Sequence, residues 1–230
     1  MIIAVLGASG PTGRLLIDRL LADGHDATAL VRRPDRFPTA GQRLRVVSGD
    51  ATSLPDVSAA IAGADAVVSV LGTTFSRKPI DLYSASAQAI CAAMTEKCMS
   101  WLIVTSSAAL SDWTDPGWSW AERTLARPIL DRIGRTLYAD MARMESIVRA
   151  TTLDWTIMRP LGLANLTPPT TYQIAEDHVA GRQTARGDLA SAIVDQLASN
   201  EFSRKTAAVA TVDKHQGLVR TIWREGIVRG

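Results

Sequence analysis

Two cysteines are all the chain holds, Cys91 and Cys98, seven positions apart in a helical pattern with no CxxC spacing and no histidine nearby. That sets aside a disulfide framework and a thiolate zinc site, and leaves two buried free thiols in a reducing compartment as the expectation. His178 has no Cys/His cluster to join and is expected simply to be exposed. Neither GxSxG nor HExxH occurs, so no hydrolase triad or zinc-protease helix is in view. No run of 18 apolar residues is present to span a bilayer. The first strand begins at residue 2, which leaves no room for a basic leader, so a cytoplasmic location without membrane partner is expected. The net charge of +2 is scattered, without the basic face that a nucleic acid would need. Lysine is scarce as well: only four of the 25 basic residues are lysine. Guanidinium groups suit phosphate contacts, although a GC-rich genome explains the same bias more blandly.

What is present is an ordinary globular composition, 47% hydrophobic and 21% charged, with no repeat and no low-complexity tract. A chain of this size can bury about 70 to 75 per cent of its unfolded surface, enough for one domain over residues 1–230, as monomer or homodimer. Apolar strands are expected at Ile2–Leu6, Ala27–Val31, Leu44–Val47, Ala66–Leu71, Trp101–Thr105 and Trp155–Met158. Helices are expected at Pro11–Ala22 (apolar stripe Leu15, Leu16, Leu20, Leu21), Ser53–Ala62, Ile80–Lys97, Leu137–Ala150 and Asp188–Ala198. Val209–Val212 reads as an edge strand and Leu218–Val228 as a closing helix. Strands apolar throughout and alternating with helices predict an α/β, Rossmann-like, doubly wound parallel sheet with helices on both faces. Two segments break the rhythm, 111–136 with Trp113, Trp118 and Trp120, and 161–186. They follow strands 5 and 6, at the carboxyl ends where open α/β sheets bind ligands, and read as substrate-side insertions or equally as cover for the sheet edge.

The first strand runs into Gly7-Ala8-Ser9-Gly10-Pro11-Thr12-Gly13 and then a helix. In that setting Gly7 permits the tight turn, Gly10 lets a pyrophosphate approach the main chain, and Gly13 lets the helix pack against the sheet. The helix amino terminus then offers N–H groups and a partial positive charge to phosphates. Where an NAD-specific protein places a carboxylate after the second strand, this chain has Arg32 and Arg33. Charge-assisted bonds from arginine to a 2′-phosphate, each worth on the order of 1.5 to 3 kcal/mol, point to NADP(H), with Asp35 a possible counterweight.

Further motifs follow in order: ALVRRP at 29–34, GD at 49–50, VVSVLG at 67–72, VTSSA at 104–108, ADMARMESIVR at 139–149 and LDWTIMRP at 153–160. With GASGPTG they resemble the atypical short-chain dehydrogenase/reductase group. The nearest likeness is to NAD(P)H-binding proteins similar to biliverdin-IXβ/flavin reductase, and a more distant one is to the NmrA-like proteins. TARGDLASAIV at 184–194 is similar to the family's late helix. The resemblance implies that Asp50 and Ala51 meet the adenine, though a turn aspartate reads nearly as well. It also implies that Leu71, Gly72 and Thr73 pass the ribose and phosphates, that Thr105 and Pro160 complete the cofactor wall, and that Ser106 stands beside the nicotinamide. For Ser106 the competing reading is a cap, shared with Ser107.

The Tyr-x-x-x-Lys pair of typical short-chain dehydrogenases is missing: four residues after Tyr83, Tyr138 and Tyr172 stand Ala87, Ala142 and Glu176. Without a lysine, nothing local supplies the roughly 4 kcal/mol that lowers a tyrosine pKa by three units. Tyr138 is left as an unassisted proton donor. Met141 stands where the closest reductases tend to have histidine, a departure that weakens the transfer of the biliverdin-type activity specifically. Arg159 either faces an anionic substrate or pairs with a carboxylate such as Asp154, the pairing being the expectation. The reading is an NADP(H)-dependent oxidoreductase with Ser106 and Tyr138 as catalytic candidates and a small aromatic or conjugated acceptor such as a flavin or quinone. The alternative is a non-catalytic NADP(H)-binding sensor of NmrA-like type.

Overall fold

A computed structural model describes residues 1–37, 42–113, 115, 117, 119–120, 124, 129, 132–166 and 170–212. Trp118 and the expected helix at Leu218–Val228 lie outside them.

The strands are β1 (Ile2–Leu6), β2 (Asp26–Val31), β3 (Leu44–Ser48), β4 (Ala66–Ser69), β5 (Trp101–Thr105), β6 (Asp154–Pro160), β7 (Gly162–Ala164), β8 (Tyr172–Glu176), β9 (Gln183–Ala185) and β10 (Lys205–Thr211). The helices are α1 (Pro11–Ala22), α2 (Leu54–Ala60), α3 (Leu82–Glu96), α4 (Arg135–Arg149) and α5 (Arg186–Ser199). Eight strands form one sheet in the order β3-β2-β1-β4-β5-β6-β10-β8, with every pair parallel except β10–β8. The order reverses between β1 and β4, the crevice where doubly wound sheets take ligands.

Alternate residues of each strand feed two cores. Ala4, Leu6, Val67, Val104 and Ile157 pack under α2, α3 and α4, while Ile3, Val5, Val68, Ile103 and Met158 pack under α1 and α5. Each large aliphatic side chain enclosed this way contributes about 1.5 to 3 kcal/mol. In α1, Leu16, Ile17 and Leu20 are buried and Leu15 is exposed, so the apolar stripe is rotated from the expected one by the identity of Ile17. Ser53 is not the first residue of α2 but its cap, accepting from the Asp56 N–H at 3.5 Å.

Three expectations are corrected. The edge strand expected at Val209–Val212 is the end of a longer strand, Lys205–Thr211, which stops before Val212 and is internal to the sheet, where the edge is β8. Its run KTAAVAT reads weakly because alanine has little strand propensity; here small residues are needed where both faces are covered. The 161–186 segment contains β7, β8 and β9, each too short to show a period, and β7 pairs with β9 as a separate ribbon. Finally, Cys91 is buried but Cys98 is exposed, lying one residue beyond the helix-ending Lys97 with φ 54°. Burial pushes the Cys91 thiol up to about 11, so it stays an inert core thiol.

The two insertions meet. Asp115, buried, accepts from the Gly117 N–H and from the Gly181 N–H, both at 2.7 Å. The Trp113 ring stacks on the exposed His178 ring with centroids 4.9 Å apart. Trp120, by contrast, is 74% exposed.

Candidate functional site

The parallel order sets the carboxyl ends of β3, β2, β1, β4, β5 and β6 in one row. Asp50, Arg32, the glycine turn, Leu71 to Thr73, Thr105 with Ser106, and Pro160 follow those ends in that order.

The glycine turn is built from contacts no side chain would allow. Gly7 has φ +86°, and a Cβ on it would lie 2.7 Å from the Val70 carbonyl carbon and oxygen, so the turn rests on the end of β4. A Cβ on Gly13 would lie 2.2 Å from the Gly7 carbonyl oxygen and 2.7 Å from the Ala8 Cα. Gly10 is the N-cap of α1, donates to the Gly7 carbonyl at 3.0 Å, and brings no side-chain cap. Pro11 at the first helical position has no N–H to satisfy. Ala8 and Thr12 are buried and Ser9 is exposed, its carbonyl accepting from Arg14 Nε at 3.1 Å. The result is a helix amino terminus free of its own carboxylates or hydroxyl caps, suited to an anion.

Arg32 and Arg33 leave β2 exposed, and Asp35 lies 4.0 Å from Arg36 rather than closing on them. Asp50 accepts from the Thr52 N–H at 2.9 Å and the Thr52 hydroxyl at 2.8 Å, both on Oδ1. These bonds, chiefly, and the nearby Arg32 charge lower its pKa. Its own N–H donates to Asp56 Oδ2 at 2.8 Å, so Asp50 anchors a turn whatever else it meets. Ala51 is buried beside it. Leu71 is half-buried; Gly72 and Thr73 are exposed, and a Cβ on Gly72 would meet nothing within 4 Å.

Past β5 the two serines separate. Ser107 takes the capping duty, accepting from the Ala109 N–H at 3.2 Å. Ser106 is 3% exposed; its N–H donates to the Met158 carbonyl at 2.8 Å, yet its hydroxyl has no partner, and neither has that of Thr105. A buried hydroxyl left without a partner costs about 1 to 3 kcal/mol. Tyr138, half-buried near the start of α4, packs edge-on to Phe75 with ring centroids 6.3 Å apart, and its ring fills the space a Cβ on Gly134 would take. Pro160 is buried at the end of β6. Arg159 pairs, but with Glu145 rather than Asp154: Nε reaches Oε1 at 2.9 Å and an Nη reaches Oε2 at 2.6 Å. Asp154 instead receives the Asn200 amide and the Ser203 hydroxyl.

A family model for NAD(P)H-binding proteins matches residues 7–200 of the chain. The chain belongs to the NAD(P)H-binding family. An uncharacterized chloroplastic protein of Arabidopsis thaliana is 26% identical to this family member over 221 residues, covering 89% of this chain and 75% of its own length. Uncharacterized proteins of Mycobacterium tuberculosis are 44% identical over 68 residues, and the match spans only 8% of their length. Among solved structures, a short-chain dehydrogenase/reductase from Veillonella parvula in complex with NADP superposes with TM-score 0.77, at 22% identity and 94% and 96% coverage of the two chains. ChuY from Escherichia coli O157:H7, described as an anaerobillin reductase, gives 0.74 at 20% identity, with 94% and 100% coverage. At such identities these structures establish that the NAD(P)H-binding protein shares their fold.

Reasoning from sequence overlooked Tyr83 and Asp140, which sit behind the β4–α3 loop of this NAD(P)H-binding protein. The only signal was that Asp140 is a charged residue on the apolar face of a helix, where it is fully buried. Met141 is a buried core residue.

Proposed function

We propose that the chain is an NADP(H)-dependent oxidoreductase acting on a conjugated acceptor such as a flavin, a quinone or a related carbonyl compound. The observation that carries this reading is the buried, unpartnered Ser106 hydroxyl at the sheet's carboxyl edge, in the same row as a glycine turn in which a Cβ on Gly7 or Gly13 would strike main chain. When bound, the nicotinamide supplies hydride. The N–H groups at the start of α1 hold the diphosphate, Arg32 and Arg33 hold the 2′-phosphate, and the adenine lies by Asp50 and Ala51. Leu71 to Thr73, Thr105 and Pro160 form the remaining wall. Ser106 donates to or accepts from the carboxamide or the acceptor, and Tyr138 or water supplies the proton that balances the hydride on the acceptor.

With Ala142 four residues beyond Tyr138, no ammonium stabilises a tyrosinate. A conjugated acceptor spreads the charge it receives and asks less of an acid than a ketone does, so positioning supplies most of the rate. The neighbouring reductase ChuY, with its anaerobillin activity, supports the same acceptor class. The missing lysine also supports a second reading, an NADP(H) sensor without chemistry.

Following absorbance at 340 nm with NADPH and a panel of FMN, menadione and other quinones tests the enzyme reading. Oxidation with one or more acceptors is expected; tight NADPH binding with a flat trace across the panel would favour the sensor. Arg32→Ala is expected to weaken NADPH by about tenfold or more, from the loss of one charge-assisted contact, and to leave NADH nearly unchanged. Equal losses for the two nucleotides in a tryptophan-fluorescence titration would show that Arg32 does not meet the 2′-phosphate.

A further inference from the structure

Asp140 of α4 is a carboxylate with 0% exposure, and everything it binds but one belongs to α3. It accepts from the Tyr83 N–H at 2.8 Å, the Ser84 N–H at 3.4 Å and the Ser84 hydroxyl at 2.5 Å, while Arg143 on its own helix adds a bond at 3.0 Å. The residue preceding α3, Asp81, makes no side-chain cap, so the cap of α3 comes from the neighbouring helix. That cap fixes where α3 starts and therefore where Tyr83 stands.

Tyr83 is 3% exposed, its ring among the core residues under α3 and α4. Its hydroxyl does not turn to solvent; it accepts the N–H of Thr73 at 3.3 Å. Thr73 is exposed and follows Gly72, whose Cβ position is open on every side, so this part of the loop has little other support. Farther along, the loop is pinned from α4 twice more, by the Thr136 hydroxyl on the Ser76 carbonyl at 2.6 Å and by Arg143 on the Ile80 carbonyl at 2.7 Å. Burial, above all, pushes the Tyr83 phenol up to about 12, so it stays neutral and its oxygen remains an ordinary acceptor at working pH.

We propose that Tyr83 is a positioning residue for the dinucleotide: held by Asp140, its hydroxyl fixes the Thr73 amide and so sets the path of the β4–α3 loop along the cofactor. This rests on the reading that Gly72 and Thr73 pass beside the nucleotide. A loop already ordered loses less freedom when a ligand arrives, and that saving becomes affinity. Asp140 lies two residues from Tyr138, so the same bridge ties the proton-donor helix to the cofactor loop.

The test compares Tyr83→Phe with the wild type using two probes, NADPH and adenosine 2′-monophosphate. The second reaches only the β2 and β3 end of the row. Loss of one neutral hydrogen bond predicts NADPH weakened about threefold to tenfold and the adenosine probe unchanged. Hydrogen exchange at the Thr73 amide should quicken at least tenfold. A merely structural role would weaken both ligands together; unchanged NADPH affinity or unchanged exchange at Thr73 would overturn the proposal. Should Tyr83→Phe be recovered unfolded, Asp140→Asn carries the same expectations and the same contrary outcomes. Failure of the wild type to bind NADPH would remove the underlying reading as well, a result distinct from failure of the variant alone.

Discussion

Gly13→Ala is expected to lower stability by on the order of 3 kcal/mol and abolish measurable NADPH binding, whereas Gly10→Ala should leave stability within about 1 kcal/mol and still impair binding. The two glycines lie three residues apart in one turn, yet their surroundings differ. A Cβ at Gly13 would be 2.2 Å from the Gly7 carbonyl oxygen and 2.7 Å from the Ala8 Cα, atoms of main chain that cannot rotate away. Relief requires α1 to move off the turn, which disturbs Leu16, Ile17 and Leu20 in the core beneath it. In a domain of this size 3 kcal/mol corresponds to roughly 6 to 12 °C in Tm. At Gly10 the nearest atom to an added Cβ is the Gly7 oxygen at 3.3 Å, a contact the chain accommodates with a few tenths of an ångström of movement. On the proposed reading, what a side chain at Gly10 would obstruct is the diphosphate, not the fold. Thermal scans paired with NADPH titrations of both variants check this; equal loss of Tm would show that Gly10 is structural like Gly13.

The same contrast explains how much could be read before the fold was known. β1, α1 and β5 appear with the bounds expected from apolar runs and Gly/Pro punctuation, because their signals are local. The glycine turn was legible for the same reason: strand, three glycines and helix are contiguous. β8, β9 and the first half of β10 are not, since three to five residues carry no period and an alanine-rich strand gains its place only from the faces that cover it; only the Val209–Thr211 end of β10 falls within the expected edge strand. That Arg159 pairs is legible, but its partner Glu145 lies on a helix 14 residues away, and Asp154 on the same strand is nearer in sequence. Ser106 and Ser107 are chemically identical in sequence; only the structure shows one spent on a cap and the other buried with its hydroxyl unpartnered. The Asp140–Tyr83–Thr73 bridge spans 57 residues between its first two members, and its one local trace is a carboxylate on the apolar face of α4.

Glu145→Ala is expected to destabilise the protein by about 3 to 5 kcal/mol, a large part of the 5 to 15 kcal/mol available to a domain. Glu145 and Arg159 have side chains only 6% and 14% exposed, and removing the carboxylate strands a guanidinium where water hardly reaches. Arg149 loses a contact too, at 3.4 Å, though it keeps its place over the Trp155 ring, 5.1 Å from the centroid, and its bond to the Thr206 hydroxyl at 2.5 Å. The pair clamps α4 to the end of β6, so the loss should loosen the helix that bears Tyr138 along with the strand that ends at Pro160. Its energetic worth as a pair is another matter. Taking two charges out of water costs nearly what their attraction returns, so Glu145→Leu with Arg159→Met together should recover stability to within about 1.5 kcal/mol of the wild type. Chemical denaturation of Glu145→Ala and of the double variant decides it, since a double variant as unstable as Glu145→Ala would mean that the cost lies in lost packing rather than in the stranded charge. Recovery would also show that Arg159 costs the fold nothing once its carboxylate is gone, so that in the wild type its charge is answered by Glu145.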